Sequence, residues 1–132
     1  MPVLVSHAVA DEPWAQWIAL ELRAAGHDVH LDPAGPGFVR RLAGGLGGTT
    51  PVLLLISAEH RATAADWATL LRAPAIVGRL IVLRLDAAEL PRALRALPCR
   101  SLHGLDEEDA LELLLNLAGG IRRHQFPRAA GR

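Results

Sequence analysis

The run Val52-Leu53-Leu54-Leu55-Ile56 places five large aliphatic side chains in succession between Pro51 and Ser57. Successive side chains of a strand point to opposite faces, so a run without polar alternation has no face for water and must be covered on both sides. Such a strand belongs inside a parallel sheet with helices above and below it. Val3-Leu4-Val5, between Pro2 and Ser6, repeats the pattern in shorter form, and Leu80 to Leu85 repeats it again. Asp28-Val29-His30-Leu31 reads as a shorter strand and Arg100 to Leu102 as a weak one at an edge.

The segments between these runs have a different period. Asp11-Glu12-Pro13 offers acidic residues and an early proline where a helix begins, Trp14, Trp17, Ile18 and Leu22 follow at helical spacing, and Gly26 suits the position just past the end. Trp67, Leu70 and Leu71 predict a helix from Thr63 or Ala64 through Arg72, stopped near Pro74. Asp106 to Leu117 is a last helix with an acidic first turn. Phe38, Val39 and Leu42 suit a short helix that Gly44, Gly45, Gly47 and Gly48 weaken. Ala87 to Leu97 is a short helical or irregular crossover broken by Pro91.

Strands alternating with helices predict an α/β fold: a single three-layer, flavodoxin-like domain with a central five-stranded parallel sheet and helices on both faces. At 132 residues the chain has room for one core. We expect a domain over residues 1–121 and a polar tail over 122–132. Ligands of such sheets bind outside the carboxyl ends of the strands, which singles out Ser6 to Asp11, Asp32 to Gly37, Ser57 to Asp66, and Asp86.

Several classes of function are disfavoured. Fourteen acidic and fourteen basic residues are interspersed, leaving no basic face to follow a phosphate backbone, so no nucleic-acid partner is expected. Cys99 is the single cysteine, which excludes a disulfide framework or a cysteine zinc cluster and suits a reducing compartment. Met1 to Ser6 meets Asp11 and Glu12 too soon for a signal peptide, and no stretch approaches the roughly 18 apolar residues of a membrane span. A cytoplasmic location without a membrane partner is the expectation. His27 and His30 lie an odd number apart on a strand and face opposite sides, so no metal is expected. Ser6, Ser57 and Ser101 lack a Gly-x-Ser-x-Gly elbow, and Gly44 to Gly48 lacks the Walker lysine.

The opening Val3-Leu4-Val5-Ser6-His7-Ala8-Val9-Ala10-Asp11, an aliphatic strand followed by Ser-x-x-x-x-Asp, resembles the first box of bacterial Toll/interleukin-1 receptor (TIR) domains. Trp14-Ala15-Gln16-Trp17-Ile18, Leu22, Gly26, Val29 and Leu31-Asp32 continue the likeness, as do Pro51 to Ser57 and Trp67; it covers residues 3 to about 118. The resemblance implies two activities on one face: homotypic assembly that transmits a signal, or hydrolysis of NAD+ at its nicotinamide glycosidic bond. It implies a nucleotide pocket using Ser6, His7, Asp32 and Trp67, and a contact loop of Pro33, Gly35, Pro36, Gly37 and Phe38.

In enzymatic members of that family a glutamate four residues after the helix tryptophan engages the ribose and steadies the positive charge that develops as nicotinamide leaves. Counted from Trp67, that position is Leu71, which can neither accept a hydroxyl hydrogen bond nor oppose a cation. The reading is therefore a signalling module that associates with itself or with other TIR domains, in bacterial defence or regulation, with a degenerate nucleotide pocket and no required cofactor. The alternative is an NAD+ hydrolase using a non-standard carboxylate, Asp66 or Glu59. A receiver domain shares the fold class, but it wants an Asp ending its third strand and a Lys ending its fifth, where this chain has Ser57 and no lysine at all.

Overall fold

A computed structural model describes residues 2–35, 37–44, 51–72 and 78–125. Its strands are β1 (Pro2–His7), β2 (Asp28–Pro33), β3 (Val52–Ile56), β4 (Leu80–Arg84) and β5 (Cys99–Ser101). Its helices are α1 (Glu12–Ala24), α2 (Phe38–Gly44), α3 (Ala64–Leu71) and α4 (Glu107–Gln125), with 3-10 turns at Val9–Asp11 and Arg92–Leu94. All pairings are parallel and the strand order is β2-β1-β3-β4-β5, the doubly wound sheet expected.

The aliphatic runs divide between two cores by the two-residue period of a strand. Val3, Val5, Leu53, Leu55 and Leu83 meet Ile18, Ala19 and Leu22 of α1 and Ala110 and Leu114 of α4. Leu4, Val52, Leu54, Ile56, Leu80 and Val82 meet Phe38 and Leu42 of α2 and Trp67 and Leu70 of α3. All five residues of β3 are buried, as an unbroken aliphatic run at the centre of a sheet requires.

Local chemistry sets the helix ends. Gly26 takes φ 101°, and the Gly26 and His27 amides donate to the Arg23 and Leu22 carbonyls, so α1 closes with the paired bonds that only a left-handed residue allows. At the start of α3 the Thr63 hydroxyl accepts from the Asp66 amide (3.1 Å) while the Asp66 carboxylate accepts from the Thr63 amide (2.9 Å), a reciprocal capping box.

Two boundaries differ from expectation. β2 continues beyond the expected end at Leu31 through Asp32 and Pro33, which pair with Ser6 and His7. β2 lies at the edge of the sheet, where a proline's missing N–H costs least, and the Ala34 amide donates to the His7 carbonyl directly afterwards (2.7 Å). α4 runs on to Gln125, so residues 122–125 of the expected tail are helical, while 126–132 lie outside the described residues, as do Pro36 and Pro74. Among the described residues no helix is long and apolar enough to cross a membrane.

Candidate functional site

Because β2 and β3 lie on opposite sides of β1, the chain turns in different directions after the first and third strands, and a crevice opens at their carboxyl ends. Four polar residues are buried there: Ser6, His7, Asp11 and Ser57. The Ser57 hydroxyl donates to Asp11 Oδ2 (2.5 Å) and accepts from the Glu59 amide (3.1 Å), tying the turn after β1 to the end of β3. His7 Nδ1 donates to the Ala8 carbonyl (2.7 Å), and Ser6 Oγ is buried with no partner. The carboxylate of Asp86 accepts from the Ala58 and Ala88 amides (3.0 Å each), and those two bonds hold it below the usual carboxylate range. The loops after β3 and β4 are thereby joined.

An aromatic trio lies on the α2–α3 side of this floor. Phe38 and Trp67 meet at 5.8 Å, edge to face, and the His60 imidazole lies 5.7 Å from Phe38 and 5.0 Å from Trp67. The Ala62 amide points at His60 Nδ1 (3.3 Å). An amide can only donate, so Nδ1 is the acceptor and the neutral ring carries its proton on Nε2, which is buried with no partner. Burial lowers the pKa of His60 from its ordinary 6.5; Asp11 and Asp66 oppose that shift and His7 adds to it.

Beside the trio is a cavity of about 340 Å³ lined by Gly35, Gly37, Phe38, Arg61, Ala62 and Asp66 among others. The loop that roofs it is held at both ends. Arg41 donates through Nε and Nη2 to Asp32 Oδ1 (3.0 Å each) and through Nη2 to the Pro33 carbonyl (2.9 Å). The Phe38 amide donates to the Gly35 carbonyl (3.1 Å), and Gly37 takes φ 82°, a conformation that L side chains resist. A larger hollow, about 400 Å³, lies between the starts of α1 and α4 against Trp14 and Trp17. Its acidic residues, Asp106 and Glu107, stand at the exposed start of a helix, whereas the smaller cavity lies among the segments that follow β2 and β3 at the carboxyl ends of the strands, which favours the latter as the site.

The residues singled out from sequence thus occupy unlike positions. Ser6 and His7 are closed inside the end of the sheet, and Trp67 is a core residue at 2% exposure. Leu71 packs, half-buried, against the same core as Trp67, while Asp66 turns to the cavity rim with one carboxylate oxygen held by the capping box. Glu59 is exposed and Asp32 is clasped by Arg41. Of the expected contact loop, Pro33 and Gly37 are exposed, Gly35 is half-buried, and Phe38 is buried as the anchor of the loop. Asp11, Ser57 and His60 fall inside the stretches singled out at the strand ends without being assigned a role, and Arg41 falls outside them. Asp11 stands in the Ser-x-x-x-x-Asp box, which offered a signal, whereas nothing in the local pattern around His60 does.

The sequence profile of the TIR domain family matches residues 3–115. No curated protein matches the chain. Among solved structures, it resembles a response regulator receiver domain from Methanospirillum hungatei at 14% identity and a TM-score of 0.59, over 92% of this chain and 98% of that one. The N-terminal domain of a response regulator/sensory box/GGDEF three-domain protein from Carboxydothermus hydrogenoformans gives 21% and 0.59, over 96% and 98%. A 3-dehydroquinate dehydratase-like protein from Bifidobacterium longum gives 12% and 0.58, over 92% and 98%. At these identities the likeness shows the shared fold.

Proposed function

Because this chain belongs to the TIR domain family, a family of signalling modules, we propose that it works by associating with copies of itself or with other TIR domains through loop 33–38, in bacterial defence or regulation, without turning over NAD+. The observation that carries this reading is the construction of the loop. Arg41 clasps its start, Phe38 anchors its end in the core, and Pro33 and Gly37 are left at the surface. A loop tied down at both ends has less entropy to lose when a partner covers it.

Gly35→Arg tests the contact, because a Cβ at Gly35 meets nothing within 4 Å and the variant has no reason to misfold. Sedimentation velocity over a concentration series should show association in the parent chain and its loss in Gly35→Arg at an unchanged melting temperature. Undiminished association in the variant would remove the loop from the interface.

One observation favours the enzymatic alternative: Asp66 brings a carboxylate to the cavity rim, in company with Phe38 and Arg61. In that reading Asp66 opposes the developing charge on the ribose and Arg61 meets phosphate. Against it stand the capping bond that occupies Asp66 Oδ2 and the apolar Leu71. Chromatography of concentrated protein incubated with NAD+ decides between them. Our reading expects no release of nicotinamide; release that is abolished in Asp66→Ala or Glu59→Ala would establish the hydrolase instead.

A further inference from the structure

We propose that His60 is a proton-operated latch on the start of α2: neutral, its ring packs against Phe38 and Trp67 and the start of α2 stays docked, the closed form; protonated, it leaves them and the start of α2 loosens, the open form. The inference concerns the single molecule. Its consequence for assembly rests on the reading above.

The geometry makes the neutral ring the one that fits. Its Nδ1 is committed as an acceptor to the Ala62 amide, two residues on in the segment leading to α3. An imidazolium has donors at both nitrogens, so protonation turns that hydrogen bond into two opposed N–H groups. The proton on Nε2 already lacks a partner and would carry part of a full charge in a buried place.

The charged and titratable groups facing the ring come from three elements: His7 from β1, Asp11 from the turn after it, and Asp66 from α3. Each carboxylate is already engaged through one oxygen and neither is hydrogen-bonded to the ring. Asp11 Oδ2 accepts from Ser57 and Asp66 Oδ2 accepts from Thr63. A charged His60 is relieved by swinging toward one of these acids or to water. Either movement withdraws the ring from Phe38, the first residue of α2 and the end of the loop.

The sign of the pH effect follows from the direction of the shift. Burial lowers the pKa of His60 in the closed form below the 6.5 of a freely solvated ring. The closed form is therefore fully favoured above pH 6.5. It loses ground as pH falls below that value, until the closed form takes up the proton as well. With an open-form value of 6.5, the ratio of open to closed molecules rises by up to about tenfold between pH 7.5 and 5.5.

The test is hydrogen exchange of the amides of residues 37–44 in dilute, monomeric protein at pH 7.5 and 5.5, corrected for the intrinsic effect of pH on exchange. Emission from Trp67 is followed in parallel in a Trp14→Phe/Trp17→Phe background. We expect protection to fall by up to about tenfold in the parent chain, with a matching change in emission, and both to stay flat in His60→Phe and His60→Gln, which keep a planar or hydrogen-bonding side chain without a titration. Equal pH responses in the parent and in both variants would overturn the latch, as would no response in the parent. Sedimentation at the same two pH values separates the two proposals: opening at pH 5.5 without any loss of association leaves the latch standing and removes the loop from the interface.

Discussion

The two sides of the sheet are built from the same aliphatic strands and are covered in unlike ways. On one side α1 and α4, of 13 and 19 residues, lay down aliphatic side chains, and the core there is Val, Leu, Ile and Ala. On the other, α2 and α3 have 7 and 8 residues, and Phe38, Trp67 and the imidazole of His60 fill the space that longer helices would take. Short helices contribute little stability of their own, so this side rests on tertiary packing, in which the edge-to-face rings of Phe38 and Trp67 join the aliphatic side chains of the strands. The shorter helices predict that the α2–α3 side opens at lower cost than the α1–α4 side.

The comparison is broken most directly by emptying each side in turn. Trp67→Ala should cost about 3–5 kcal/mol and Ile18→Ala about 2–5 kcal/mol in chemical denaturation. The diagnostic difference lies elsewhere: below its denaturation midpoint Trp67→Ala should also raise the exchange of the 37–44 amides, whereas Ile18→Ala should leave them protected. If both variants loosen the loop equally, the two sides are one cooperative unit. A smaller effect is expected from Asp11→Ala, which strands the buried Ser57 hydroxyl and should cost about 1–3 kcal/mol, read from the urea midpoint. Smallest is Gly37→Ala. Its Cβ would meet only Arg41 Nη1 at 3.7 Å, so the cost is the left-handed backbone alone, about 1–2 kcal/mol. Locally it should appear as faster exchange around the loop, with the α1–α4 side unchanged.

The same contrast explains what could be read from the sequence. The α1–α4 side is regular, and its periodicities gave the helices, the Gly26 terminus and the strands that pack on them to within a few residues. The other side depends on contacts between distant positions. Asp11 and Ser57 meet across 46 residues, and His60 is set by Phe38 and Trp67 on two different helices. No window of neighbouring residues contains such a contact, so His60 could be placed near a strand end but not given a role. Phe38 read both as the start of a short helix and, from the resemblance, as the end of a contact loop; it begins α2 and its side chain turns inward. Leu71 and Asp66 were legible as helix positions, but which of them faces the cavity depended on where α3 lies against the sheet. The second strand read as ending at Leu31, two residues short of Pro33, because sequence alone does not tell an edge strand, which tolerates proline, from a central one.

That placement of Pro33 bears on how copies of this chain can grow into larger bodies. An exposed sheet edge with a full row of free amides is a template for further strands, and growth on it is open-ended and hard to reverse. Here the β2 edge ends in a residue that has no amide to offer and carries the exposed Asp28 and His30 side chains, 3.6 Å apart, near its start. Sheet extension is discouraged at that border, so the self-association proposed above is expected to use loop and helix surfaces rather than the β2 edge, contacts that can be made and afterwards taken apart.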